Sequence, residues 1–117
     1  MEWAARIVVG LVAALHFYIL VMEMFLWRTD RVRATFGTTP EFAEQTATMA
    51  ANQGLYNGFL ATGLAYGLLT DDLTFQVFFL CCVAVAGIYG ALTVSRRILF
   101  VQVIPAVLGL VLVLLAQ

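Results

Sequence analysis

The stretch from Ile7 to Trp27, IVVGLVAALHFYILVMEMFLW, carries the information that sets the fold class. It matches the roughly 20 apolar residues with which a helix crosses a bilayer, yet it contains His16 and Glu23. An ionisable side chain at the centre of such a span costs roughly 2.5–3.5 kcal/mol on insertion scales, so it faces protein or water and not lipid. Positions 16 and 23 stand i,i+7, two turns apart on one helix face, and Leu20 and Trp27 continue that stripe. The stripe is expected to face other helices, and the remaining chain must supply its partners.

Working outward, composition agrees with this first reading. The apolar fraction is 63% and the charged fraction 11%, where soluble domains average about 45–50% and about 25%. A membrane protein is expected. The chain has no Lys, and its six Arg nearly balance seven acidic residues, so it offers no basic surface and nucleic acid is excluded as a partner. Cys81 and Cys82 are adjacent in an apolar run, with neither C-x-x-C spacing nor a disulfide framework, and read as small packing residues. With a single His and no H-E-x-x-H, no metal site and no cofactor are expected. Nucleophile-elbow, phosphate-loop and dinucleotide fingerprints are absent as well.

The expected fold is all-α: one polytopic domain over residues 1–117, with four transmembrane helices in an antiparallel bundle and a short interfacial segment between helices 1 and 2. The first span exceeds a signal-peptide core and ends in Met-Phe-Leu-Trp-Arg, not in small residues, so it is read as retained helix 1. Asp30 is expected to cap a short helix that stops at Gly37. Thr39-Pro40-Glu41 then reads as N-cap, first helical position and acidic first turn of helix 2, which continues unbroken into Met49–Leu69. Within helix 2, Gly54 with Gly58 and Gly63 with Gly67 form two G-x-x-x-G pairs, read as a helix-packing face, with Leu68 turned to lipid. Thr70-Asp71-Asp72 closes that helix, helix 3 runs from about Leu73 to Val94, and Ser95-Arg96-Arg97 makes the next turn. Helix 4 spans Ile98 to Leu115, where Pro105 leaves a carbonyl one turn earlier without its partner and predicts a kink.

Arginines set the orientation. Arg28, Arg31 and Arg33 follow helix 1, and Arg96 and Arg97 separate helices 3 and 4, against Arg6 alone on the other side. The positive-inside rule makes both arginine-bearing segments cytoplasmic, in the plasma or inner membrane, with both termini outside. In that topology His16, Glu23, Asn52, Gln53, Tyr56, Asn57, Tyr89 and Gln102 are expected to converge in the cytoplasmic half as a cavity or ligand site. The outer half holds little beyond Thr62 and Tyr66.

The motifs His16-x-Tyr18-Ile19, Glu23-Met24-Phe25-x-Trp27, Asn52-Gln53-Gly54-Leu55-Tyr56-Asn57-Gly58-Phe59 and Val101-Gln102 with Pro105-Ala106 resemble those of the domain of unknown function 1304 family. These are small bacterial and fungal membrane proteins, and the likeness spans essentially the whole chain. It implies a compact four-helix membrane protein and no particular reaction, substrate or partner. Where that family often places an acidic residue before the histidine, this chain has Leu15.

Three readings of the polar residues remain open at this level. In the first, a cytoplasm-facing cavity binds or passes a small molecule or proton, with Glu23 titrating and His16 as relay. In the second, an intramembrane enzyme uses a His/Glu pair for proton transfer on a lipid-soluble substrate held by Asn57 and Tyr89. In the third, the same groups are only interhelical hydrogen-bond glue, worth about 0.6 kcal/mol each on average. The partners admitted are the lipid bilayer, a second copy of the chain, and a small-molecule or lipid ligand.

Overall fold

The structure, a computed structural model, describes residues 2–117, and every regular element among them is helical. In order these are α1 (Glu2–Met24), α2 (Asp30–Phe36), α3 (Pro40–Leu69), α4 (Leu73–Thr93), a π-helical segment at Leu99–Val103, and α5 (Ile104–Leu115). Two compact units form. One comprises the chain up to Ala14 together with Leu60–Gln117, the other Leu15–Phe59.

Local chemistry explains the helix ends. The Thr39 hydroxyl accepts from Phe42 N at 3.1 Å and Pro40 opens α3, so the start is capped and pre-organised. Asp72 does the same for α4, accepting from Phe75 N at 3.0 Å. The cap of α2 differs from expectation: Thr29, not Asp30, accepts from Val32 N, while Asp30 is the first helical residue and pairs with Arg33. Thr29 also donates to Leu26 O at 2.7 Å, which places its hydroxyl at the point where the chain turns. Gly37 ends α2 at φ 70°, a left-handed conformation that glycine adopts without Cβ strain, and its N–H reaches Arg33 O.

α1 begins five residues before Ile7 and ends three before Trp27, so the expected boundaries shift toward the N-terminus. Past Met24 the N–H groups of Phe25 and Leu26 both turn back to Val21 O, at 3.0 and 3.2 Å. Trp27 consequently leaves the helical stripe on which His16 and Glu23 stand. Its indole N–H donates to Thr46 Oγ1 at 3.1 Å and its ring packs on Phe36 at 5.0 Å between centroids. A Trp whose N–H finds a partner outside the helix gains more there than by continuing an apolar face.

In the Leu15–Phe59 unit, Gly54 and Gly58 allow α3 to approach α1. A Cβ on Gly54 would lie 2.6 Å from Met24 Cγ and 3.1 Å from Glu23 Cβ, and one on Gly58 2.5 Å from Leu20 Cδ1. In the other unit, Gly63 lies against the Phe79 ring, and a Cβ on Gly67 would lie 3.0 Å from Gln76 and Phe75 on α4. The glycine pairs thus serve two neighbours and not one face. The five-residue step from Gly58 to Gly63 rotates the helix by roughly 140° at 3.6 residues per turn.

Small side chains dominate the core of that second unit: Ala5, Val9, Val12, Ala13, Leu64, Leu80, Val83, Ala84, Ala106 and Val113. Leu68, expected on the outer surface, is half-buried against this core, whereas its neighbour Leu69 is 81% exposed. At the acidic turn, Asp71 takes φ 53° and forms an ion pair with Arg6, which also reaches Leu68 O. Ahead of Pro105 the helix widens into the π-helical segment, with Ile104 N–H bonding to Leu99 O. Proline has no N–H for the Val101 carbonyl, and a widened turn is how the helix absorbs that loss. Gly87 and Gly90 admit the widened segment: their Cβ positions would lie 2.7 Å from Val103 Cγ2 and 3.1 Å from Ile98 Cδ1.

Candidate functional site

Two ionisable side chains are buried in the Leu15–Phe59 unit, His16 at 0% and Glu23 at 8% exposure. Glu23 sits in the last turn of α1, one residue before the helix ends. Its Oε1 accepts from Asn57 Nδ2 at 2.8 Å, and that amide also donates to Gln53 O at 3.1 Å. Asn57 is therefore oriented by its own helix before it meets the carboxyl group. Both partners flank the Gly54/Gly58 contact, where the absence of Cβ atoms lets the backbones close far enough for short side chains to meet.

The other polar residues of α3 point elsewhere. Asn52, Gln53 and Tyr56 are exposed, with Tyr56 edge-on to Phe59 at 5.8 Å. At about 100° per residue Asn57 lies about 60° from Gly54, whereas Asn52, Gln53 and Tyr56 lie about 100° or more away. Tyr89 and Gln102 belong to the other unit, where Tyr89 is 70% exposed and Gln102 is half-buried with its Cβ beside Gly87.

Beside Glu23 opens a recess of ≈ 470 Å³, lined further by Met24, Trp27, Arg28, Thr29, Thr48 and Ala51. Its volume falls in the range of about 300–1,000 Å³ typical of small-molecule sites. Ala47 and Ala51, one turn apart on α3, leave the space, and the turn after Met24 supplies the opposite wall. Arg28 is held by Glu44, its Nη1 donating to both carboxylate oxygens at 3.0 and 3.1 Å. Sequence reasoning had not picked these lining residues. The usable signal was the stripe of small residues Ala43, Ala47, Ala50, Ala51, Gly54 and Gly58, which marks one continuous face of α3. A smaller recess of ≈ 250 Å³ in the other unit includes Glu2, Gln76 and the Arg6–Asp71 pair in its wall. Among the described residues no group of three or more His, Cys, Asp or Glu is placed to hold a metal ion, and Cys81 and Cys82 are free thiols.

Fold and site define a small all-α helix-bundle protein with two long apolar helices and a carboxyl–amide pair at the end of the first. The chain belongs to the family described as protein of unknown function (DUF1304), whose model matches residues 10–114. It is similar to the uncharacterized protein YpaA of Lactococcus lactis subsp. lactis (strain IL1403), at 29% identity over 110 residues, covering 90% of this chain and 92% of that one. No solved structure matches.

Proposed function

We propose that the protein is a polytopic membrane protein that binds a small molecule in the recess beside Glu23, on the arginine-bearing side of the bilayer. The observation that carries this reading is Glu23 itself. A carboxyl group 8% exposed, lining a recess and given one neutral hydrogen bond among the described residues, is costly to keep unless a ligand or a proton completes it.

Membrane insertion has its own support. α1 and α4 reach mean hydropathies of 2.2 and 2.1, yet only 33% and 28% of their apolar windows are buried within the chain. A core helix of a soluble protein would be mostly buried. Large apolar side chains such as Trp3, Leu11, Phe78, Leu92 and Phe100 are exposed while the interior is mostly Ala, Gly and Val, the inverse of an aqueous fold. Four spans follow from α1, the second half of α3, α4, and the apolar stretch Leu99–Leu115. By its arginines, the segment carrying α2 is interfacial and cytoplasmic.

The test uses a single cysteine at Thr48 with Cys81 and Cys82 replaced by Ala. The protein should resist alkaline carbonate extraction from membranes. Thr48→Cys should react with a membrane-impermeant maleimide in inverted vesicles and not in intact cells. Extraction by carbonate, or labelling of Thr48→Cys from outside, would overturn the proposal.

A further inference from the structure

The recess beside Glu23 has a charge pattern that its overall composition hides. Two charged side chains line it, Glu23 and Arg28. Arg28 is already engaged, since the Glu44 carboxylate takes its Nη1 through both oxygens. An anion entering here would have to displace Glu44 or share its cation. Among the described residues no ion pair involves Glu23; the hydrogen bond to its carboxyl group comes from the neutral Asn57 amide. What the recess lacks is therefore positive charge at one end.

Its walls specify the rest of the ligand. Trp27 is fixed by its hydrogen bond to Thr46 and its packing on Phe36, and it lines the same recess as Glu23. Met24, Ala47 and Ala51 add an apolar lining without polar demands. A carboxylate beside an aromatic ring is the arrangement that stabilises an ammonium group, by ion pairing and by attraction to the ring face.

We infer that the recess takes an amphipathic organic cation, its ammonium group against Glu23 and its apolar body along Trp27, Met24 and the Ala47/Ala51 face. This rests on the proposed small-molecule site and adds the chemical class of its ligand.

The test uses the full chain in detergent with Trp3→Phe, which leaves Trp27 as its one tryptophan. Three probes of similar size are titrated: benzyltrimethylammonium, its uncharged isostere neopentylbenzene, and the anion phenylmethanesulfonate. The ammonium alone should give a saturable change in Trp27 emission. Glu23→Gln, which keeps an acceptor for Asn57, should weaken that response at least about ten-fold. Glu41→Gln, an exposed position in the first turn of α3, should leave it unchanged. Binding of the anion, equal binding of the neutral isostere, or full ammonium affinity in Glu23→Gln overturns the cation assignment while leaving the recess as a site. No response to any of the three overturns the inference, whereas the underlying reading falls separately, on carbonate extraction or on labelling of Thr48→Cys from outside. The probe ranking is read in the parent protein, so it decides the matter even where Glu23→Gln does not fold.

Discussion

Glu23 and Asn57 are the smallest unit with a consequence for both stability and the proposed site. Their hydrogen bond joins two helices at 2.8 Å, and its loss removes from a buried carboxyl group the donor it has among the described residues. Interhelical hydrogen bonds in membrane proteins average about 0.6 kcal/mol and reach about 1.7, less than the roughly 1–3 kcal/mol of an unsatisfied group in a soluble core. Asn57→Leu should therefore lower the detergent melting temperature measurably without unfolding the protein, whereas Asn52→Leu, on the exposed side of α3, should leave it unchanged or raise it. Equal losses in the two variants would show that the amide at position 57 has no special partner. The Arg28–Glu44 pair is different: both side chains are exposed, so it orients a wall of the recess and contributes at most about 1 kcal/mol.

At the scale of the element, α3 is the organising helix, because its glycines meet α1 at one end of their range and α4 at the other. Gly58→Leu drives a branched side chain into Leu20, and Gly63→Leu drives one into the Phe79 ring. Both should reduce folded yield and thermal stability, by several kcal/mol where the backbone cannot yield. Leu69→Ala, at a position 81% exposed, should change stability by less than about 0.5 kcal/mol. Thermal melts of the three variants in one detergent check this, and a mild Gly58→Leu would mean that the α1–α3 contact is looser than its geometry states. The start of α3 was legible in the sequence because capping is local: Thr39 acts on an N–H group three residues away. The cap of α2 was misplaced by one residue, Thr29 for Asp30, and Asp72 read only as part of a turn, because adjacent polar residues offer the same capping chemistry. The end of α1 was not legible, because the apolar run continues to Trp27 while the backbone turns after Met24, and Trp27 gains its partners from Thr46 and Phe36.

For the whole molecule, the decisive measurement is orientation. In the proposed topology the five arginines of the α1–α3 and α4–α5 connections, against Arg6 in the other set, put Thr38 in the cytoplasm and Asp72 outside. In a background lacking Cys81 and Cys82, single cysteines at those two positions should label from opposite sides of the membrane. Labelling of both from outside intact cells would overturn the proposed topology and move the Glu23 recess away from the cytoplasm.

By itself the sequence determined the all-α class, the family, the capped start of α3, and the short list of polar residues among which Glu23 and Asn57 stand. Those features follow from composition, motif and contacts within one helical turn. Only the tertiary structure decided that Asn57 and not Asn52 or Gln53 meets Glu23, that the two glycine pairs serve different neighbours, and that Trp27 leaves the α1 stripe to wall a recess. Each of those depends on the rotational phase of a helix against one particular neighbour. A shift of one residue turns a side chain by roughly 100°, while the apolar pattern of a helix with apolar residues on every side scarcely changes.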